Sequence, residues 1–326
     1  MKRKKFICLL LFVVCFALLV NHKLPGQENN SKNLRFVVYG DTRRGGNAID
    51  LAARPRVVAV AIQQQPAFIV QTGDLVQYGN DPREWVEFDR LIQPIRDQHI
   101  AYYPAKGNHD VGENSKYFTE ILDSVQAGDK EKNYYRFDAP GLRFIALDTE
   151  SLSEGAIAID EYIKTESKGA KGKEASSKGV TQYKWLKEQL QQAKKDKVFV
   201  IPFFHRALFS VGFHGNDIFL QSLLHPLFRQ YGVRLVFQGH DHLYYRTIRD
   251  GITYVVTGGG GAPLYDVKMN ALQKNDVAKK VHHLCVAELS SGDIHFMVYE
   301  VEGDPKKKDP VEPIDDFRVS LAVDPQ

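Results

Sequence analysis

The segment VRLVFQGHDH at residues 233–242 joins a run of β-branched and aromatic residues to a tetrapeptide holding two histidines and an aspartate. The first half has the composition of a buried strand, and the second half marks where that strand stops. Successive side chains of an extended chain alternate faces, so His240 and His242 point one way and Asp241 the other. Two imidazoles on one side are a metal-ligand pattern. A solvated polar turn can carry the same pair, so its meaning depends on what occupies the ends of the other strands.

Those ends are occupied too. VFVIPFFHR at 198–206 reads as a strand running into His205, and AYYPAKGNHD at 101–110 as a short strand running into Asn108, His109 and Asp110. AFIVQTGD at 67–74 and LRFVVYGD at 34–41 end in Asp74 and Asp41. Between them lie segments with helical spacing, RPRVVAVAIQQQ, PREWVEFDRLIQPIRDQ and TQYKWLKEQLQQAKKD. Strand, loop and helix in alternation predict a parallel sheet. In open α/β sheets the carboxyl ends of the strands are where sites are built. Taken singly, each residue has an ordinary structural explanation: Asp41 and Asp74 as helix caps, Asn108 as a turn residue, His205 as a core histidine. Five strand ends carrying ligand-competent groups in order are a different matter.

The C-terminal part changes character. YYRTIRDGITYVVTGGGG and CVAELSSGDIHFMVYEV each predict a hairpin through Asp-Gly or Gly-Asp. The polar, lysine- and glycine-bearing stretch at about 151–180 is expected to be a flexible insertion, and residues 303–326 a polar tail on the surface or without order.

The chain has 326 residues, 43% of them apolar, enough for one large domain. It begins with a basic patch at Lys2–Lys5 and an apolar run from Phe6 to Val20. This predicts export to a periplasmic or extracellular space, with residues 1–26 either a cleaved signal peptide or an anchor tethering the protein to a membrane through residues 6–20. Removing residues 1–26 takes away five basic residues and no acidic ones, so the formal net charge goes from +3 to −2. The basic balance therefore belongs to the leader, and nucleic acid is not an expected partner. Outside the leader only Cys285 remains, which excludes an intrachain disulfide there.

The motifs GD at 40–41, GD at 73–74, GNHD at 107–110, His205 after an apolar strand and GHDH at 239–242 together resemble the calcineurin-like metallophosphoesterases, a superfamily that includes the purple acid phosphatases. The likeness runs from about Leu34 to Glu302, and VTGGGGAPLY with the Trp-Leu helix before His205 looks like a bacterial branch. The resemblance implies a four-layer αββα sandwich, two mixed sheets flanked by helices, spanning residues 33–302. It also implies two metal ions, Fe, Mn or Zn, bridged by Asp74. Asn108, His205 and His240 would hold one, and Asp41 and His242 the other. The family's first motif is often Asp-x-His, but here Arg43 stands at the third place, and arginine cannot ligate a metal. Arg43 is instead a candidate phosphate-binding fork. Purple acid phosphatases supply a tyrosine ligand after the second motif; Tyr78 is the candidate, one place further along than in those enzymes.

Two cations about 3.5 Å apart can lower the pKa of a shared hydroxide and stabilise both oxygens of an in-line displacement. His109 is then expected to serve the leaving group as general acid, with Asp110 orienting its ring. The expected substrate is a small phosphate ester, a monoester before a diester. The alternatives are a phosphodiesterase or nucleotidase on the same core, and a non-catalytic metal-binding scaffold.

Overall fold

The computed structural model describes residues 34–112, 116–124, 133–167, 177–303 and 312–322. The leader lies outside them, as do residues 168–176 of the expected insertion and 304–311 and 323–326 of the tail. Among the described residues no helix is long and apolar enough to cross a membrane.

Strand and helix alternate first through β1 (Arg35–Tyr39), α1 (Ala48–Gln63), β2 (Phe68–Gln71), α2 (Pro82–Asp97), β3 (Ala101–Pro104) and α3 (Lys116–Ser124). Helix α1 starts six residues before the apolar spacing suggests, because Asn47 and Asp50 form a reciprocal capping box. A second series follows: β4 (Tyr135–Ala139), β5 (Leu142–Ala146), α4 (Thr149–Glu154), α5 (Ala156–Ser167), α6 (Lys178–Asp196), β6 (Phe199–Phe203), α7 (Ile218–Gln230) and β7 (Leu235–Gln238). The chain ends in β8 (Tyr244–Arg249), β9 (Ile252–Thr257), β10 (Val277–Lys279), β11 (His283–Leu289), β12 (Asp293–Glu300) and β13 (Asp315–Ser320).

These strands form a six-stranded sheet, in the order β13-β12-β11-β1-β2-β3, and a seven-stranded sheet, in the order β10-β8-β9-β7-β6-β5-β4. Both are mixed. β1, β2 and β3 run parallel in the first, and β5, β6, β7 and β9 in the second, with antiparallel strands outside them. The sheets meet across an aromatic layer in which Phe36 stacks on Phe68 and Phe137 on Phe144. Phe296 packs edge-on against both Phe36 and Phe237, so the layer spans the two sheets. Helices α1, α2 and α3 contribute to the core of the first sheet, and α4 to α7 cover the outer face of the second. This is the four-layer αββα arrangement.

Two expectations are corrected. Residues 149–167 are helical, with Leu152 and Ile159 buried against α6 and the second sheet, where composition suggested a loop. Their apolar residues are few but correctly spaced, and tertiary packing outweighs the polar remainder. The tail also holds a strand: β13 pairs with β12 from Asp293↔Ser320 to Val298↔Asp315. Its Phe317 and Val319 alternate with charged residues, and Asp315 accepts hydrogen bonds from Tyr244 and Arg246 of the other sheet.

Candidate metal centre

The parallel strands of both sheets deliver their C-terminal ends to one edge, and Asp41, Asp74, Asn108, His205, His240 and His242 meet there. The chain turns sharply at three of these positions. Asp41, Asp74 and His240 have φ of 60°, 54° and 74°, the left-handed region that costs a non-glycine residue about 1–3 kcal/mol. Each follows a glycine at a strand end, which lets the backbone double back and aim the side chain over the sheet edge. Close packing accounts for other glycines. A Cβ on Gly107 would lie 2.2 Å from Asp74 Oδ1, and one on Gly258 would lie 2.3 Å from the Asp241 carbonyl.

The hydrogen bonds fix the protonation of the rings. His205 Nδ1 lies 3.1 Å from the Thr72 carbonyl, which can only accept, so Nδ1 carries the proton and Nε2 presents a lone pair. That lone pair faces Asn108 Oδ1 at 3.0 Å, Asp74 Oδ1 at 3.2 Å and His240 Nδ1 at 3.1 Å. On the other side His242 Nδ1 donates to the Pro263 carbonyl at 2.6 Å, leaving Nε2 bare at 3.5 Å from Asp41 Oδ1. Donor atoms of Asp41, Asp74 and His242 all lie within 4.8 Å of one another. Oxygen and imidazole nitrogen atoms converging at this spacing form a donor set suited to a cation. Donors at right angles and about 2.1 Å from a metal lie about 3.0 Å apart, close to the spacing around His205 Nε2. The residues therefore fit a metal ion beside Asp74.

Electrostatics agree. Burial, then the neighbouring Asp74 charge, pushes the Asp41 carboxyl well above the usual range. Burial also opposes ionisation of Asp74, but its surroundings outweigh it, the His109 backbone N–H at 3.0 Å and Arg43 among them, and hold that carboxyl below its ordinary value. Burial pushes the His205 and His240 rings down, and the His242 ring to about 3. Neutral imidazoles are the metal-binding form.

The structure redistributes the other expected roles. The chain bends at His240 instead of staying extended, and Asp241 turns away from the cluster, accepting from the backbone of His214 and Gly215 and the Ser210 hydroxyl and tying down the loop after β6. His109 Nδ1 bonds the Gln77 carbonyl at 2.8 Å, which makes its Nε2 the nitrogen left for chemistry. Asp110 does not orient that ring. It is buried and accepts the backbone N–H groups of Leu75, Val76 and Gly107, clamping the second and third motif loops together. Tyr78 is turned outward, 63% exposed, and lines an open groove of about 480 Å³ with Arg43, Gln77, Leu51 and Pro263. The one-residue offset after Asp74 puts Gln77 at the inner place, where it accepts from the Arg43 guanidinium.

Two residues at the site escaped the sequence. His214 stacks on His240 with ring centroids 3.9 Å apart, and Tyr265 on His242 at 4.2 Å. His214 is a lone histidine in a loop, without a spacing signal. Tyr265 closes VTGGGGAPLY, whose glycines bring it to the edge. Phe203, Phe204, Tyr244 and Tyr245 are core, whereas Phe213 is exposed at the rim.

Comparison with known proteins matches residues 34–244 to the calcineurin-like phosphoesterase family. The tartrate-resistant acid phosphatase type 5 of Oryctolagus cuniculus is 30% identical over 254 residues, 73% of this chain and 76% of that protein. A dimetal phosphatase from Danio rerio superposes with a TM-score of 0.60 at 16% identity, covering 89% of this chain and 99% of the other. GAP50 of Plasmodium superposes at 0.62 with 19% identity and 90% of each chain. With two mixed sheets, flanking helices and this array of donors at one edge, the chain belongs to the calcineurin-like phosphoesterase family and is a metal-dependent hydrolase of phosphoester bonds.

Proposed function

We propose that this protein hydrolyses small phosphate monoesters at a dinuclear centre, with Asp74 shared between the two ions. Asn108, His205 and His240 hold one ion, and Asp41 and His242 the other. The observation that carries this is the pair of bare imidazole nitrogens, on His205 and His242, whose opposite nitrogens are committed to backbone carbonyls on either side of Asp74. When bound, the ions neutralise phosphate oxygens and lower the pKa of water.

The chain supplies the rest. His109 is held by Gln77 so that Nε2 can deliver a proton to the departing alcohol. The Arg43 side chain lies beside Asp74 with Nε buried and without a hydrogen-bond partner, a donor suited to a phosphate oxygen. The groove outside Arg43, with Tyr78 and Leu51 exposed along it, accommodates the leaving group. The basic, apolar leader supports export, and the net charge of −2 without it supports a small substrate over nucleic acid.

The test is hydrolysis of an aryl phosphate monoester and diester by the purified protein loaded with Mn, Fe or Zn, beside His240→Ala. Metal-dependent monoester turnover, lost in the variant, is expected. Faster diester turnover would overturn the monoester assignment, and inactivity with two ions bound would favour the binding scaffold.

A further inference from the structure

The two sides of Asp74 are not equally prepared for a cation. On the His205 side, Asp74, Asn108, His205 and His240 supply four donors, and the contacts around His205 Nε2 are all to uncharged or negative groups. Arg206, the residue after His205, is committed to Glu150 through two bonds of 2.7 and 2.9 Å. On the Asp41 side there are three donors, Asp41, Asp74 and His242, and a fixed positive charge already stands among them. Arg43 Nε lies 3.5 Å from Asp74 Oδ2, and its side chain is only 11% exposed.

That guanidinium has little freedom to leave. Its backbone N–H donates to the Asp74 carbonyl at 3.0 Å, Nη1 to Gln77 and Nη2 to the Tyr265 hydroxyl at 3.3 Å. Arginine does not deprotonate in proteins, so the charge is permanent. Once Asp41 gives up its proton to an entering ion, Asp41 and Asp74 bring two negative charges, and Arg43 cancels one of them. A dication entering this side meets a half-neutralised pair and a like charge across a buried, low-dielectric space.

We infer that the two metal positions fill in sequence: the His205 side binds first and tightly, and Arg43 keeps the Asp41–His242 side weak. At limiting metal the protein then carries one ion beside a guanidinium, and Arg43 provides the second positive charge facing the substrate phosphate. The inference rests on the proposed metal centre and adds its order of loading.

The experiment is calorimetric titration of the chelator-stripped protein with Mn(II), with electron paramagnetic resonance at one and two equivalents. Two steps separated by at least about tenfold in Kd are expected, with an isolated-ion spectrum at one equivalent and a spin-coupled one only in excess. Arg43→Gln should tighten the second step by about tenfold or more and leave the first nearly unchanged, whereas Arg43→Lys, which keeps the charge, should preserve the gap. His242→Ala should abolish the weak step alone, which tests the assignment even where Arg43→Gln does not fold. A single two-ion step in the unmodified protein, an unchanged gap in Arg43→Gln, or loss of the tight step in His242→Ala would overturn the inference while leaving the metal centre in place. Absence of any metal binding would remove the metal centre, and this inference with it.

Discussion

Asp110 carries the sharpest single-residue test, because sequence position and structure assign it different work. Its Oδ1 accepts from Leu75 N at 2.8 Å and Val76 N at 3.1 Å, and its Oδ2 from Gly107 N at 2.8 Å. Asp110→Asn preserves size and one oxygen. That oxygen can keep Leu75 and Val76, but the new amide NH2 then faces the N–H of Gly107, donor against donor in a fully enclosed place. A buried donor left without a partner costs about 1–3 kcal/mol, so urea denaturation should show a loss of that size. The His109 ring is held by Gln77 instead, so turnover per folded molecule should fall by less than about threefold, far short of the roughly 10²–10⁴-fold loss expected when a general acid is disabled. A variant as stable as the parent, or one whose folded fraction loses turnover by about a hundredfold, would refute the clamp and restore the orienting role.

Three further outcomes follow from the geometry. His109→Ala should cut turnover by about 10²–10⁴-fold while metal content stays the same, since its ring is held by a carbonyl and its Nε2 is not among the converging donors; metal analysis showing loss of an ion would place it among the ligands. Gly107→Ala puts a carbon 2.2 Å from Asp74 Oδ1 and should displace that carboxylate, weakening metal binding by about tenfold or more with little change in the circular dichroism spectrum; unchanged affinity would show that the loop yields. His283 is buried far from the motifs in sequence, and burial pushes its ring from 6.5 to about 4. The unfolded chain takes up a proton there before the folded one does, so this contribution is complete above about 6.5 and is lost as pH falls toward 4, about 3 kcal/mol across the window; His283→Gln should flatten that part of the stability curve, and an identical slope would count against it.

How much of this was legible depends on the range of the physics involved. Strand composition, helical spacing and the Gly-Asp and Gly-His junctions are local, and they placed the parallel units and both C-terminal hairpins. The segment at 149–167 and strand β13 were not legible in that way, because each owes its structure to an apolar face that exists only against a distant partner. The offset of Tyr78 by one residue was visible, but its consequence was not: the chain turns so that Gln77 faces inward and Tyr78 outward.

The sequence by itself determined which donors exist and in what order the strands present them, because in a βα chain the residue after each strand must fall at the same sheet edge. Only the tertiary structure decided what each donor does. The proton positions on His205, His242 and His109 depend on the carbonyls of Thr72, Pro263 and Gln77, residues 21 to 133 positions away in the chain. Arg43 acquires its place beside Asp74 from Gln77 and Tyr265, the latter 222 residues distant. Hydrogen bonds and charges act over a few ångströms of space, and no spacing along the chain encodes which distant segments folding brings within that reach.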